Sequence, residues 1–349
     1  MSSLCNSVAF IFINRKVPKN PQRNKVKMIY FRKMTLKTLH KGKTNLEVFS
    51  ETLVELAAKD KDILVVTSDS RGSGKLVPFA EKFPDQIVEV GIAEQNLVGV
   101  SAGLASTGKK VFAVSPACFL TARSLEQIKN DVAYSNIPVT LVGISAGVSY
   151  GALGSTHHST HDIAVLRAIN NIDIIVPADN LETREAVIAA AKSTKPVFLK
   201  FGKKPMPHLP RMKKSFSIGK ASTIVEGTDI LFIACGETVA PAYEAAQLLE
   251  EKGISAKVIS MHTVKPLDNK VIINSVKKCR AVITVEEHSI NGGLGEACAS
   301  LLIKEKIYIP FKIVGIPDED TVTGSQGEIF EHYGISAKGL SNDAEKLLK

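Results

Sequence analysis

Short, uninterrupted apolar runs, each followed by a longer segment of helical spacing, recur in two series along this chain. "ILVVTSD", "VFAV", "PVTLVGIS", "IDIIVPAD" and "VFLKF" form the first; "DILFIACG", "SAKVIS", "AVITVEE" and "FKIVGI" form the second. A strand that is apolar at nearly every position has both faces buried, as in parallel sheets covered by helices. Between the series, residues 202–215, "GKKPMPHLPRMKKS", hold three prolines and five basic residues without apolar period, the character of a linker. The fold expected is α/β in two domains, each a mainly parallel sheet flanked by helices, over 43–201 and 216–349. Helices are expected from Gly91 to about 106, and near 122–134, 180–193, 239–252, 268–277 and 292–304, and Thr44 with Glu47 three residues on predicts a capping box opening the first domain.

The formal charge of +9 invites a nucleic-acid reading, and its distribution argues against one. Residues 1–43 carry eleven Lys or Arg and no acid, which leaves 33 basic against 35 acidic residues in the rest. Residues 1–42 are therefore read as a basic extension, disordered or preceding the true start at Met28 or Met34, with a targeting segment the alternative. No run reaches the roughly 18 apolar residues of a membrane span. The five cysteines (Cys5, Cys118, Cys235, Cys279, Cys298) form no CxxC pair, so neither a zinc site nor a disulfide framework is expected; a reducing cytoplasm is.

Sites in open parallel sheets lie beyond the carboxyl ends of the strands. Asp69 to Ser73, Glu94, Ser115 onward and the loop "SYGALGSTHHSTHD" all fall there. "RGSGK" (71–75) can cradle a phosphate or be a solvated turn. His157, His158 and His161 match no zinc spacing and suit substrate contact or an ordinary surface loop. Glu94 sits in the small-residue run "VEVGIAEQNLVGVSAGLASTGKKVFAV", where an acid is costly unless paired or protonated. It can be a helix-start acid favoured by the helix dipole, or a group kept for chemistry.

The string "GIAEQN", followed by "FLTARSLEQIKNDVAYSNIPVTLVGIS", "GSTHHSTHDIAVLR" and "VPADN", resembles the transketolase family from about residue 43 onward. It is similar to the pyrimidine-binding and C-terminal domains, as in the C-terminal subunit of a split transketolase, with apulose-4-phosphate enzymes one such kind. The resemblance implies thiamine diphosphate, with Glu94 the acid at N1′ of its aminopyrimidine and Phe119 stacked on that ring. It implies His157 and His158 at the substrate, Ser73 and Lys203 near a sugar phosphate, and Asp69 near the cofactor. Arg123 and Gln127 continue the helix after Phe119, and read as packing and surface charge.

The implied reaction moves a two-carbon ketol unit from a ketose phosphate to an aldose. Two positions depart from the family: Pro116 replaces an aromatic, and Leu153 an aspartate that reads a substrate hydroxyl. No GDG with an Asn some 25–30 residues later occurs, so no metal ligand is expected from this chain. The resemblance implies a separate N-terminal subunit with that motif and its Mg²⁺, in an α2β2 assembly, without nucleic acid or membrane. A 1-deoxyxylulose-5-phosphate synthase-like or 2-oxo acid dehydrogenase beta-like subunit, and a non-catalytic assembly subunit, remain alternatives.

Overall fold

The computed structural model describes residues 39–211 and 215–349; the expectations for residues 1–38, Cys5 included, fall outside these. In chain order come β1 (Lys41–Thr44), α1 (Asn45–Ala57), β2 (Ile63–Thr67), α2 (Val77–Lys82), β3 (Ile87–Glu89), α3 (Glu94–Ser106), β4 (Lys110–Pro116), α4 (Ala117–Arg123) and α5 (Leu125–Gln127). β5 (Thr140–Ile144), α6 (Asp162–Ala168), β6 (Asp173–Ile175), α7 (Asn180–Ala191), β7 (Val197–Lys200) and β8 (Pro205–Pro207) follow. Then come β9 (Ser222–Val225), β10 (Ile230–Ala234), α8 (Val239–Glu250), β11 (Ala256–Ser260), β12 (Thr263–Lys265), α9 (Asn269–Val276), β13 (Ala281–Ser289), α10 (Leu294–Lys304), β14 (Phe311–Ile316), α11 (Gln326–His332) and α12 (Ala337–Leu347).

The first sheet has the order β12-β6-β7-β5-β4-β2-β3, parallel except for β12 at its edge. Its central strands β2, β4, β5 and β7 are largely apolar because both faces are covered, and successive residues serve opposite sides. Val65, Phe112, Val142 and Leu199 meet Phe49 and Leu53 of α1 and Val187 of α7. Their neighbours Val66, Ala113, Leu141 and Phe198 belong to the opposite apolar cluster, which includes Leu97 and Ala102 of α3. Phe49 is fully buried against the rings of Phe112 and Phe201, so Phe49→Ala would cost about 3–5 kcal/mol. Thr44 caps α1 as expected: its hydroxyl accepts from the Glu47 N–H at 3.2 Å, and Glu47 accepts from the Thr44 N–H at 2.9 Å.

The second sheet runs β14-β13-β10-β11-β9, with β9 antiparallel to β11. The three residues of β12 leave this half and pair with β6, Thr263 opposite Ile175, so the first sheet is completed by the second half of the chain. Apolar patterning does not reveal β12, β8 or β9: each is only three or four residues long and lies at an edge. β8 pairs with β1 and pins part of the expected linker.

The helix expected over 122–134 is not continuous. α4 ends at Arg123, Ser124 takes a non-helical φ of −112°, and residues 128–134 widen into π-type turns. The Ser124 hydroxyl donates to the Leu120 carbonyl at 2.5 Å and the Thr121 hydroxyl to the Ala117 carbonyl at 2.7 Å. Such back-bonding competes with the helical ladder and bends it. The break sets Arg123 at the open end of a short helix beside Glu94.

Candidate active site

Loops after β2, β3 and β4 meet at one sheet edge. The Ser68 hydroxyl donates to Ser115 at 2.8 Å, tying the ends of β2 and β4. Glu89, closing β3, accepts from the Asp69 N–H at 2.7 Å and the Gly91 N–H at 3.0 Å. Arg71 lies 3.4 Å from the same carboxylate. The loops after β2 and β3 turn through left-handed backbone, φ 51° at Asp69 and 71° at Gly91, and the second of them delivers Glu94 as the first residue of α3.

Glu94 is only 4% exposed, yet it is paired. Nη1 of Arg123 donates to both of its oxygens, at 2.9 and 3.0 Å. The Arg123 guanidinium carbon lies 4.3 Å from the centre of the Phe119 ring. Phe119 meets the His157 ring edge-on at 5.4 Å, and His157 meets Tyr150 in the same way, also at 5.4 Å. Lys203 Nζ stands 4.7 Å over the Tyr150 ring. Glu94, Arg123, Phe119, His157, Tyr150 and Lys203 thus form one continuous wall, carboxylate at one end and ammonium at the other. Burial pushes the Tyr150 phenol above its ordinary range.

The histidine loop is held from behind by the second half of the chain. His158 is buried, with Nε2 2.9 Å from the Gly151 carbonyl and Nδ1 2.7 Å from the Thr321 hydroxyl. Both its ring nitrogens meet partners inside the chain, which ties the loop down. Glu287 accepts from the Val148 N–H at 2.8 Å and from the Gln326 amide at 2.7 Å. The same amide donates to Glu237 at 2.8 Å. Burial pushes Glu237 up to about 7 and, with Glu237 nearby, Glu287 up to about 8. Asp162, fully buried, holds Lys200 at 2.7 Å and accepts from Ser159 at 2.9 Å. Burial acting alone would raise Asp162; Lys200 and His288 outweigh it and hold the carboxyl below its usual range.

Of the residues singled out from sequence, Glu94, Phe119, His157 and Lys203 share this wall. Asp69 is exposed, and Ser73, also exposed, donates to the Ser70 carbonyl of its own loop at 3.3 Å. Leu153 is 56% exposed at the tip of the histidine loop, and Pro116 is buried in β4 opposite Ile144. Sequence reasoning missed the pairing of Arg123, although Arg123 follows Phe119 by four residues, the spacing of one helix face. It also missed Glu89, Tyr150 and the buried Glu237–Gln326–Glu287 bridge. These depend on contacts between distant loops, which no local period reports.

The profile of the family described as "Transketolase, pyrimidine binding domain" matches residues 41–207, and that of "Transketolase, C-terminal domain" matches residues 219–340. The chain belongs to the transketolase family. It is 48% identical to one subunit of the apulose-4-phosphate transketolase of Phocaeicola vulgatus, over 86% of this chain and 96% of that one. It is 36% identical to 1-deoxy-D-xylulose-5-phosphate synthase of Halothermothrix orenii, spanning 48% of that longer protein. Among solved structures it is similar to a chain described as a split gene transketolase, inactive beta4 tetramer. The TM-score is 0.78 and the identity 35%, covering 88% of this chain and 98% of that one. Transketolase membership implies thiamine diphosphate as the cofactor. Among the described residues no helix is long and apolar enough to cross a membrane, and Cys118, Cys235, Cys279 and Cys298 are free thiols.

Proposed function

We propose that this chain is the pyrimidine-binding subunit of a two-subunit transketolase. It moves a two-carbon ketol unit from a ketose phosphate to an aldose, together with a separate subunit that holds the diphosphate and Mg²⁺. The observation that carries this reading is the junction of Glu94, Arg123 and Phe119. There, a buried carboxylate and an aromatic face together hold a planar, nitrogen-rich cation by its edge and its face. An aminopyrimidine asks for the same two contacts, so the residues present fit it.

Thiamine diphosphate, when bound, supplies the nucleophilic carbon that attacks the ketose carbonyl. Glu94 holds a proton at N1′ of the aminopyrimidine, and Phe119 stacks against the ring. His157, fixed between Phe119 and Tyr150, hydrogen-bonds substrate oxygens, and the Lys203 ammonium draws the sugar phosphate toward that end of the wall. Asp69 and Ser73, on the loop after β2, contribute from the side of the partner subunit. His158 acts by positioning His157. The relatives that are themselves subunits, matched over nearly their whole length, support a partner chain, and an α2β2 assembly is the simplest arrangement. Apulose 4-phosphate, named for the 48% identical relative, is the first ketose to try, and apolar Leu153, where the family carries a hydroxyl-reading aspartate, suits a ketose other than the usual straight-chain ones. The neutral body of the chain and its free thiols suit a cytoplasmic enzyme.

The test is ketol transfer by this chain mixed with its candidate diphosphate-binding partner, thiamine diphosphate and magnesium. Each chain alone and a Glu94→Ala mixture are run beside it. Activity confined to the intact mixture is expected. Turnover of pyruvate with loss of CO₂ in place of ketol transfer would overturn the assignment in favour of a synthase. A complex that assembles yet turns over no ketose would make the chain an assembly subunit.

A further inference from the structure

We infer that Arg123 keeps the place of the cofactor's aminopyrimidine in the unliganded chain and must swing out before that ring can enter. This rests on the reading of Glu94 and Phe119 given above, and adds to it a built-in competitor. The guanidinium is planar and cationic, with N–H donors around its edge. It uses that edge on both Glu94 oxygens, at 2.9 and 3.0 Å, and its face on Phe119 at 4.3 Å. An aminopyrimidine protonated at N1′ is likewise planar and cationic, and it offers an N–H to a carboxylate and a flat face to an aromatic ring. One carboxylate and one aromatic face cannot serve both groups.

The arrangement is made to open. The Glu94 side chain is 4% exposed and fixed, whereas the Arg123 side chain is 49% exposed, so only the arginine has solvent to move into. Arg123 ends α4, and Ser124 beside it is out of helical geometry, so the arginine stands at a break between α4 and α5. An ion pair with one exposed partner is weak and exchanges readily, which suits a group that must be displaced. While in place, Arg123 satisfies a buried carboxylate that would otherwise be unpaired, so the empty pocket remains stable at a cost to cofactor affinity.

The test measures thiamine diphosphate binding to the full chain in complex with its partner, by titration calorimetry with magnesium present, for wild type, Arg123→Ala and Arg123→Lys. A competitor that must leave first predicts tighter binding in Arg123→Ala by about tenfold, the equivalent of one charge-assisted hydrogen bond. Arg123→Lys, which keeps the charge and loses the plane, should fall between. Millimolar guanidinium chloride should weaken binding to Arg123→Ala while sparing wild type, with sodium chloride at equal ionic strength as the control. Equal or weaker binding in Arg123→Ala at an unchanged thermal midpoint would overturn the inference, since an arginine that merely orients Glu94 gives that result. Should Arg123→Ala fail to fold, Arg123→Lys binding no tighter than wild type overturns it equally. A wild-type complex that takes up no cofactor would remove the proposed function itself, and this inference with it.

Discussion

Lys200, closing β7, and Asp162, opening α6, meet at 2.7 Å with side chains only 4% and 0% exposed. The lysine also reaches toward the Ser159 carbonyl at 3.4 Å and the Glu287 carbonyl at 3.3 Å. One ammonium thereby joins the central sheet, the histidine loop and the second half of the chain. Lys200→Met should leave a buried carboxylate without its partner and cost about 3–5 kcal/mol. Denaturant unfolding checks the size of the loss. A near-neutral result would mean that Asp162 finds another cation or takes up a proton.

The two adjacent histidines should separate cleanly. His158→Asn removes an anchor between Gly151 and Thr321, so the midpoint of unfolding should fall by the equivalent of about 1–3 kcal/mol. His157→Asn removes a half-buried ring from the open wall and should leave stability nearly intact while lowering kcat/KM about a hundredfold in the complex. Thermal melts and steady-state kinetics on both variants decide it. The reverse pattern would place the substrate contact on His158.

Stability should decline with rising pH through the Glu237–Gln326–Glu287 bridge. These carboxyls are held above their unfolded range, to about 7 and about 8. A group raised in this way contributes stability that is complete below its unfolded pKa and disappears as pH climbs through the folded value. The loss attributable to this pair therefore falls between about pH 5 and pH 8. Glu287→Gln keeps an oxygen to accept from Val148 and cannot ionise, so it should melt higher than wild type at pH 8.5 and flatten the profile. Parallel profiles for the two proteins would show that the bridge does not titrate.

Gly147 admits no side chain. Its φ is 62°, and a Cβ there would sit 2.2 Å from the Glu287 carboxyl carbon. Gly147→Ala combines left-handed strain with a clash against the group that holds the Val148 N–H. A loss of about 2–3 kcal/mol is expected, with the histidine loop displaced and KM raised. Hydrogen exchange across residues 145–160 would register that displacement, and unchanged protection would count against it.

How much of this was legible beforehand varies with the range of the interactions involved. The opening of α1 was readable because a capping box is settled within four residues. The covered parallel sheet was readable because Val65 and Val66, or Phe112 and Ala113, must each find an apolar face on opposite sides. Glu94 stood out as an acid within a small-residue run. The expected helix over 122–134 failed at Ser124, where a local hydroxyl bond bent a pattern that periodicity alone reads as continuous.

By itself, then, the sequence determined the α/β class, the two series of strands and the family motifs around Glu94, Phe119 and His157, since these rest on local periodicity and short strings. Only the tertiary structure decided what each side chain meets. Arg123 changed from surface charge to the partner of Glu94, and His158, expected at the substrate, is hydrogen-bonded between Gly151 and Thr321. The strand Thr263–Lys265 crossed into the first sheet. Each outcome depends on residues far apart in the chain arriving within a few ångströms, where one hydrogen bond or one ring face can be used only once.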